Sequence, residues 1–587
     1  MWWFSFITAS AVILLAVAFS LKLFFGKYKR GRKIRPLYLL IGGCFFSGLL
    51  LSVAPYSEQL IGEPAYGFQV FVRSVQKAIR VFGADEIYEA VETALSSETT
   101  APEWMRLPYM ALTMAVQFFA PVLTSVFVLS LFKNAISYLR YYLNFFRDVY
   151  VFSALNERST ALAQDIMKNH PSAKVIFTDV ASEDDEAVAD LFETAKEIGA
   201  ICFKKDIDSI SFGFHSKNKD IKFFTIGEDE LLNIDHAHRI IDKLKNRENT
   251  AVYIFSSSSA GELLLSGKEK GSVRVYRIDE TRNLVYNILT ESGKNLFETA
   301  KKKGNRKIIS AVLIGQGAHG TEMLKALSWF CQMDGYRVKI TAFDKDPLAE
   351  ERFKRNCPEL YSKKYNGVYT EGEAEYLIKV NAGVDASSEA FKKSLEKIKD
   401  ATYVFVSLGN QTKNIEVAAE CRTIFEAMGI KPIIHTVVWN EKAAAVLKNV
   451  YNCEEQSYDI TPVGTLEKCY SEEVIIESAL EKKAFDTHKN WLDKKPEKID
   501  DFWKYEYSYR SSMSQAIHGE ITKKLPKEKA AVVEHKRWNA YVRSEGFTYN
   551  KERNFLAKHH PSLVVYSKLS NEDKQKDKRI TAQKEKH

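Results

Sequence analysis

The sequence predicts an α-helical membrane anchor, then an α/β body with two doubly wound parallel-sheet domains, then a small α-helical domain. Three observations predict it. Long apolar runs are confined to the first 132 residues. Strand and helix patterns alternate from Val149 and start over at Ile308. Beyond Arg510 the pattern is helical. A chain of 587 residues is too long for one core, so several domains are expected.

The anchor comes first. Trp2 to Phe25 is apolar except for Lys22, near its end. About 20 residues span a bilayer, and the run is long enough. A cleaved signal peptide is the rival reading, but it needs a basic start, and this chain opens Met1-Trp2-Trp3-Phe4. The basic cluster follows instead, at Lys27, Lys29, Arg30, Arg32, Lys33 and Arg35. Further spans are predicted over Leu37–Ala54 and Leu107–Phe132, the last containing Pro108 and Pro121. The membrane domain is thus residues 1–132, with a loop over 55–106.

Orientation follows from charge. Basic loops stay in the cytoplasm. The loop from Pro55 to Arg106 is net acidic and is expected outside. The chain then starts outside, in the cytoplasmic membrane of the cell, and everything after about residue 133 is cytoplasmic. Phe71, Val75, Ala78, Ile79 and Phe82 share one helical face of that loop. Packing against the other helices is the simple expectation for that face; the membrane surface or a sister subunit is the alternative. Residues 133–147 form an interfacial linker rich in Tyr138, Tyr141, Tyr142, Phe145 and Phe146. No TVGYG-like filter occurs, which argues against an ordinary potassium pore.

Residues 148–300 carry the first alternating unit, with strands predicted near Val149–Phe152, Lys174–Asp179, Ile201–Phe203, Phe223–Ile226, Val252–Phe255 and Val273–Tyr276. Residues 301–480 carry the second. Its first strand, Ile308–Ile314, runs into Gly315-Gln-Gly317-Ala-His-Gly320 and a helix; the next strand ends at Asp344. Strand, glycine turn, helix, strand and acid together make the Rossmann dinucleotide fingerprint in its required context. Gly315 permits the turn, Gly317 a close approach of pyrophosphate, and Gly320 tight helix packing. The helix N-terminus offers amides to phosphate, and Asp344 is placed for ribose hydroxyls. NAD or another adenine nucleotide is the expected cofactor. Glycines kept for packing alone are the alternative. His319 and Asn410 are candidate ligand contacts, or else surface and capping residues. In the first unit Ser153, Leu155 and Arg158 stand where those glycines would be. A second nucleotide site of Ser153, Asn156, Arg158 and Asp179 is possible there, but a purely structural role is the simpler expectation.

Two Rossmann-like units in tandem after membrane helices resemble the RCK (TrkA-N) domains that regulate potassium channels and transporters. The resemblance covers roughly Asp148 to Leu480. It implies that NAD or ATP binding shifts domain packing and gates a membrane part, with Gly315, Gly317, Gly320 and Asp344 at the matching positions.

Residues 481–509 read as a linker, 510–580 as a helical domain and 581–587 as a tail. Ala531, Val532, His535, Trp538 and Val542 would form one face of a helix over Lys529–Glu545. The set Glu534-His-Lys-Arg537-Trp538, Glu545-Gly546-Phe-Thr-Tyr549, His560-Pro561-Ser-Leu563, Tyr566-Ser-Lys-Leu569 and Lys574-Gln-Lys-Asp577 resembles the RyR domain of ryanodine receptors. That resemblance implies a nucleotide-derived ligand, with Trp538 or Tyr549 stacking on a base and Arg537 holding phosphate. The alternative puts Trp538 in the core and pairs Arg537 with Glu534.

The formal charge of +8 lies mostly beside the spans and in the tail, so no nucleic-acid partner is expected. Seven cysteines without a CxxC pair suggest neither a metal site nor a disulfide framework. The expected partners are lipid, a nucleotide and further copies of the chain as a dimer or tetramer. The functional expectation is a membrane-anchored nucleotide sensor controlling ion flux or membrane permeability, in ion transport or bacterial defence. The alternative, a membrane-anchored NAD-dependent oxidoreductase, needs a proton-transfer set that the sequence does not announce.

Overall fold

The computed structural model describes residues 1–25, 34–83, 100–131, 141, 146–180, 188–211, 216–266, 270–361, 375–451, 454–476, 478–492, 499 and 501–582. The basic cluster at 27–33, the acids at 85–98 and the linker rings Tyr138, Tyr142 and Phe145 lie outside these residues. The chain divides into two compact units: Met1–Arg147 with Lys174–Ser216, and Asp148–Ala173 with Lys217–His587.

In the first unit the apolar runs form helices α1 (Trp2–Phe25), α2 (Ile34–Gln59) and α4 (Glu103–Leu131), with α3 (Tyr66–Arg80) between the last two. Among the described residues, three segments are long and apolar enough to cross a membrane: Trp2–Lys22, Tyr38–Gln59 and Glu103–Val128. Helices α2 and α4 outrun their predicted limits, because Pro55 and Pro108 are accommodated inside them. Small residues let α1 and α2 close up. A Cβ on Gly43 would meet Ala16 Cβ at 2.5 Å, and Ser47 Oγ donates to the Ala9 carbonyl at 3.0 Å. At one end of the bundle Trp2 stacks edge-on against Tyr109, Trp3 against Trp104, and Trp2 Nε1 donates to Glu58 at 2.7 Å. In the same unit two short strands, Lys174–Phe177 and Ile201–Cys202, pair in parallel.

The face expected to pack in α3 packs only in part: Ala78 is buried and Val75 and Phe82 are half-buried. Val70, Ser74 and Ala78 are buried, whereas Phe71 and Ile79 are 60% and 59% exposed. Ser74 and Ala78 permit close approach, and Phe71 and Ile79 are left outside the helical bundle.

The second unit holds two parallel arrays. Strands β1 (Val149–Phe152), β2 (Ile221–Thr225), β3 (Thr250–Phe255) and β4 (Arg274–Ile278) pair in that order. Then come β5 (Arg306–Ile314), β6 (Tyr336–Asp344), β7 (Tyr376–Ala382), β8 (Tyr403–Val406), β9 (Ile433–Val437) and β10 (Ile460–Val463). These pair in the order β7-β6-β5-β8-β9-β10, all parallel, with Lys301–Lys303 antiparallel beside β5. This is the doubly wound order with its switch point between β5 and β8, where ligands settle at the strand ends. Strands β7 and β10 were not foreseen. Both are edge strands: β7 alternates Lys379 and Asn381 with buried residues, and β10 contains Pro462, which an edge tolerates.

The helices that matter for the site are α5 (Glu157–Asn169), α6 (Glu280–Glu298), α7 (Ala318–Phe330), α8 (Gln411–Ala427), α9 (Glu506–Thr522), α10 (Lys527–Ser544) and α11 (Asn571–Ala582). Further helices occupy Ala479–Leu492, which begins two residues before the stretch read as a linker, and Asp501–Lys504 within it. The C-terminal helices share a core with the second sheet: Trp329 and Leu327 of α7 join Leu289 of α6, Ile517 of α9 and Tyr541 of α10. From Ala530 onward helix α10 is buried almost all round, and Val532 and Trp538 of the predicted stripe are half-buried, as is Lys536. It runs through the middle of a helical layer rather than along its surface.

One buried group gives this core a pH dependence. His435 of β9 is 4% exposed and faces the Tyr403 hydroxyl at 3.1 Å. Burial pushes its pKa down to about 4. The folded state therefore keeps a neutral ring where the unfolded chain, titrating near 6.5, takes up a proton. Its contribution is intact above pH ~6.5 and is lost as the pH falls toward ~4, by roughly 3 kcal/mol in all. Thermal midpoints of the full-length chain measured from pH 7 to pH 4 should fall less steeply for His435→Gln than for the parent.

Candidate functional site

The glycine turn sits at the switch point of the second sheet. The Gly315 amide donates to the Phe343 carbonyl, and the Ser407 amide to that of Ile314, both at 2.9 Å. The ends of β5, β6 and β8 thus converge on Gly315.

The three glycines differ in kind. Gly315 has φ +91°, and a Cβ there would lie 2.1 Å from the Ser407 carbonyl oxygen. A Cβ on Gly320 would lie 1.8 Å from the Gly315 carbonyl oxygen. Backbone packing demands both. Gly317 has φ −68°, which any residue adopts, and a Cβ there would meet nothing within 4 Å. It caps α7, and with Ala318 it is exposed. The first amides of α7 have no intrahelical partner by the geometry of a helix start. They lie beside the open space in front of Gly317, which suits an anion.

Asp344 lies at the turn. Its Oδ2 accepts from the Gln316 amide at 2.5 Å, and its Oδ1 from the Asp346 amide at 2.7 Å. The carboxylate therefore braces the turn, and each oxygen keeps a further lone pair. His319 Nδ1 stands 3.5 Å from Ser407 Oγ, and burial lowers the ring's pKa. Asn410 is the N-cap of α8, where its Oδ1 accepts from the Lys413 amide at 3.1 Å.

Sequence reasoning missed Asn414. It is buried, accepts from the Leu408 amide at 2.6 Å and donates to the Val437 carbonyl at 2.8 Å, pinning the β8 turn to β9. The first array repeats the device. Asn233 accepts from the Gly227 amide at 2.7 Å and donates to the Phe255 carbonyl at 3.0 Å. In both, the asparagine lies six residues after the amide it holds. That shared offset was the available signal.

The candidate residues of the first array serve the fold. Ser153 Oγ accepts from the Ile226 amide at 2.9 Å. Asn156 caps α5 through a capping box with Ser159. Arg158 meets Glu280 at 3.1 Å and Glu228 at 3.1 Å. Asp179 belongs to the first unit, with φ 50° and its amide donating to the Lys205 carbonyl at 2.9 Å.

In the C-terminal helices a cavity of about 600 Å³ is lined by Trp538, Trp491, Tyr507, Phe555, His560 and Arg553, among others. Trp538 lies edge-on to His560 at 4.8 Å and parallel to His535 at 5.9 Å. Arg537 borders this cavity but is 1% exposed, with bonds to Glu534 at 2.7 Å and Ser514 at 2.8 Å. Tyr549 is 47% exposed, outside the cavity lining, with its amide on Glu359 at 2.8 Å.

A buried ionic cluster joins the glycine-turn helix to this layer. Arg282 of α6 meets Glu322 of α7 at 3.1 Å and Glu545, the C-cap of α10, at 3.2 Å. Arg510 of α9 adds a contact to Glu545 at 3.5 Å. Burial alone would raise the Glu545 carboxyl, but Arg282, Lys325 and Arg510 overcome it and hold it at about 2. Burial raises Glu322.

No family model matches the chain, and no curated protein matches it.

Proposed function

We propose that this chain is a membrane-anchored sensor that binds an adenine nucleotide, NAD foremost, at the Gly315–Gly320 turn. Occupancy would alter packing in the cytoplasmic body and thereby ion flux or permeability through the membrane helices. One observation carries the reading. The fold accounts for Gly315 and Gly320 but makes no demand at Gly317, where a pyrophosphate needs bare backbone. Asp344 and the start of α7 supply the ribose acceptor and the anion site beside it.

A path to the rest of the body supports a sensing role. Glu322 lies two residues beyond Gly320 and is tied through Arg282 to the end of α10. A ligand that pulls on the start of α7 acts on that cluster, and it shifts an equilibrium only by its preference for one arrangement. The aromatic cavity around Trp538 is the place for a second ligand, as the RyR resemblance implies, with Arg553 rather than Arg537 as the available cation. In this reading the N-terminus lies outside the cell, the body is cytoplasmic, and the chain works as a homo-oligomer.

Mass spectrometry of small molecules released from the detergent-solubilised, full-length chain tests the site. The parent should release an adenine nucleotide, and Gly317→Val should release none. In thermal shift, NAD at 100 times its Kd should add about 2.7 kcal/mol to the parent and nothing to the variant. Equal ligand content in the two proteins would overturn the assignment.

A further inference from the structure

Helix α3 runs down into the bundle. At its start the Tyr66 hydroxyl donates to the Ser57 carbonyl at 2.9 Å, near the end of α2 that carries Glu58. At its other end Ala78 Cα lies 3.9 Å from the Cβ position of Gly48, and Val116 Cγ1 lies 3.7 Å from that same position. Gly48 is the centre of the segment Tyr38–Gln59, and Val116 is the centre of Glu103–Val128. Three elements therefore meet at mid-span, and α3 ends there. Val81, just beyond it, is 1% exposed in the same core as Leu51 and Tyr109.

The helix shows three faces at 100° per residue. Val70, Ser74 and Ala78 are buried in the bundle. Phe68, Phe71, Val72 and Ile79 form an exposed apolar stripe. Gln69, Arg73, Gln76 and Arg80 form a polar stripe at i, i+4, i+7 and i+11; Gln69 is half-buried and the other three are exposed. A surface helix in water has no use for the first exposed stripe, and a helix in hydrocarbon cannot tolerate the second. Charges at this depth face a water-filled cavity or another polar surface, because hydrocarbon penalises a guanidinium heavily. Two exposed stripes of opposite character call for lipid on one side and water on the other.

We propose that α3 is a re-entrant half-helix whose Gln69–Arg73–Gln76–Arg80 stripe lines an aqueous passage shared between copies of this chain, favouring small inorganic anions. The proposal rests on the apolar helices being membrane spans; it is independent of the nucleotide site. Arg73 sets the sign, since a cleft lined by one charge concentrates the opposite one. The apolar stripe faces acyl chains.

Thiol accessibility in membranes holding the full-length chain tests this. Cysteines are placed singly as Gln69→Cys, Arg73→Cys, Gln76→Cys and Arg80→Cys, and as Phe68→Cys, Phe71→Cys, Val72→Cys and Ile79→Cys. The probes are anionic and cationic methanethiosulfonates of similar size. The first four positions should be modified and the second four should resist. At Gln69→Cys and Gln76→Cys, which keep both arginines, the anionic reagent should react about tenfold faster than the cationic one. Adding Arg73→Gln to Gln76→Cys should shrink that preference. Equal modification of both stripes, no modification of the polar stripe, or faster cationic reaction would each overturn the proposal. Release of the chain by an alkaline wash of the membranes would overturn the span reading and this passage with it. Retention with the wrong thiol pattern counts against the passage alone.

Discussion

Gly315→Ala should destabilise the second sheet by about 3–5 kcal/mol, whether or not nucleotide is present. Two costs add. An L-residue is strained at φ +91°, and its Cβ would press to 2.1 Å from the Ser407 carbonyl oxygen, which is backbone held in place by β8. The Ser407 amide is bonded to Ile314, so the strand cannot retreat without opening the ladder at the switch point. The thermal midpoint of the full-length, solubilised chain should fall by several degrees. Gly317→Ala should leave that midpoint within error when no ligand is added, because its Cβ enters open space. The contrast separates glycines required by the fold from the one that the fold leaves unexplained. Equal losses at the two positions would mean that Gly317 is structural, and the nucleotide reading would lose its support.

Arg282→Met should cost about 3–5 kcal/mol, since breaking a buried ion cluster from one side leaves carboxylates without a counter-charge. Glu322 and Glu545 both contact Arg282, which is buried, while the two carboxylate side chains keep 12% and 17% exposure. Lys325 stays near both carboxylates in the variant, but Arg510 remains only beside Glu545, so Glu322 should suffer most and should take up a proton. The companion variant carrying both Arg282→Met and Glu322→Gln should recover part of the loss. Urea unfolding of the full-length chain at neutral pH measures both. A single variant as stable as the parent would show that the cluster contributes little, and the proposed tie between the glycine turn and α10 would lose its physical basis.

Local pattern carried much of this architecture. The apolar runs marked the three long helices because length and composition alone decide whether a helix can cross a bilayer. The turn at Gly315 was legible because its strand, glycines and following helix are contiguous, and Asp344 because it ends the very next strand. The misses were places where a residue's role is set by a distant partner. Strands β7 and β10 are edges with mixed polarity, so alternation and Pro462 hid them. Asn233 and Asn414 look like ordinary polar residues in a first helical turn until the neighbouring strand supplies the second bond. For Arg537 the sequence left phosphate and Glu534 as rival partners, and the helical layer gives it Glu534 together with Ser514, which no local pattern announced.

The sequence by itself determined the membrane-spanning potential of the three helices, the restart of strand–helix alternation at Ile308 and the position of the glycine turn, since each depends on near neighbours and short-range sterics. Only the tertiary structure decided which glycine the packing leaves unused, which side of α3 meets the bundle, and which charges end up buried together around Arg282. Those outcomes depend on what surrounds each side chain in space, and segments far apart in the chain supply those surroundings.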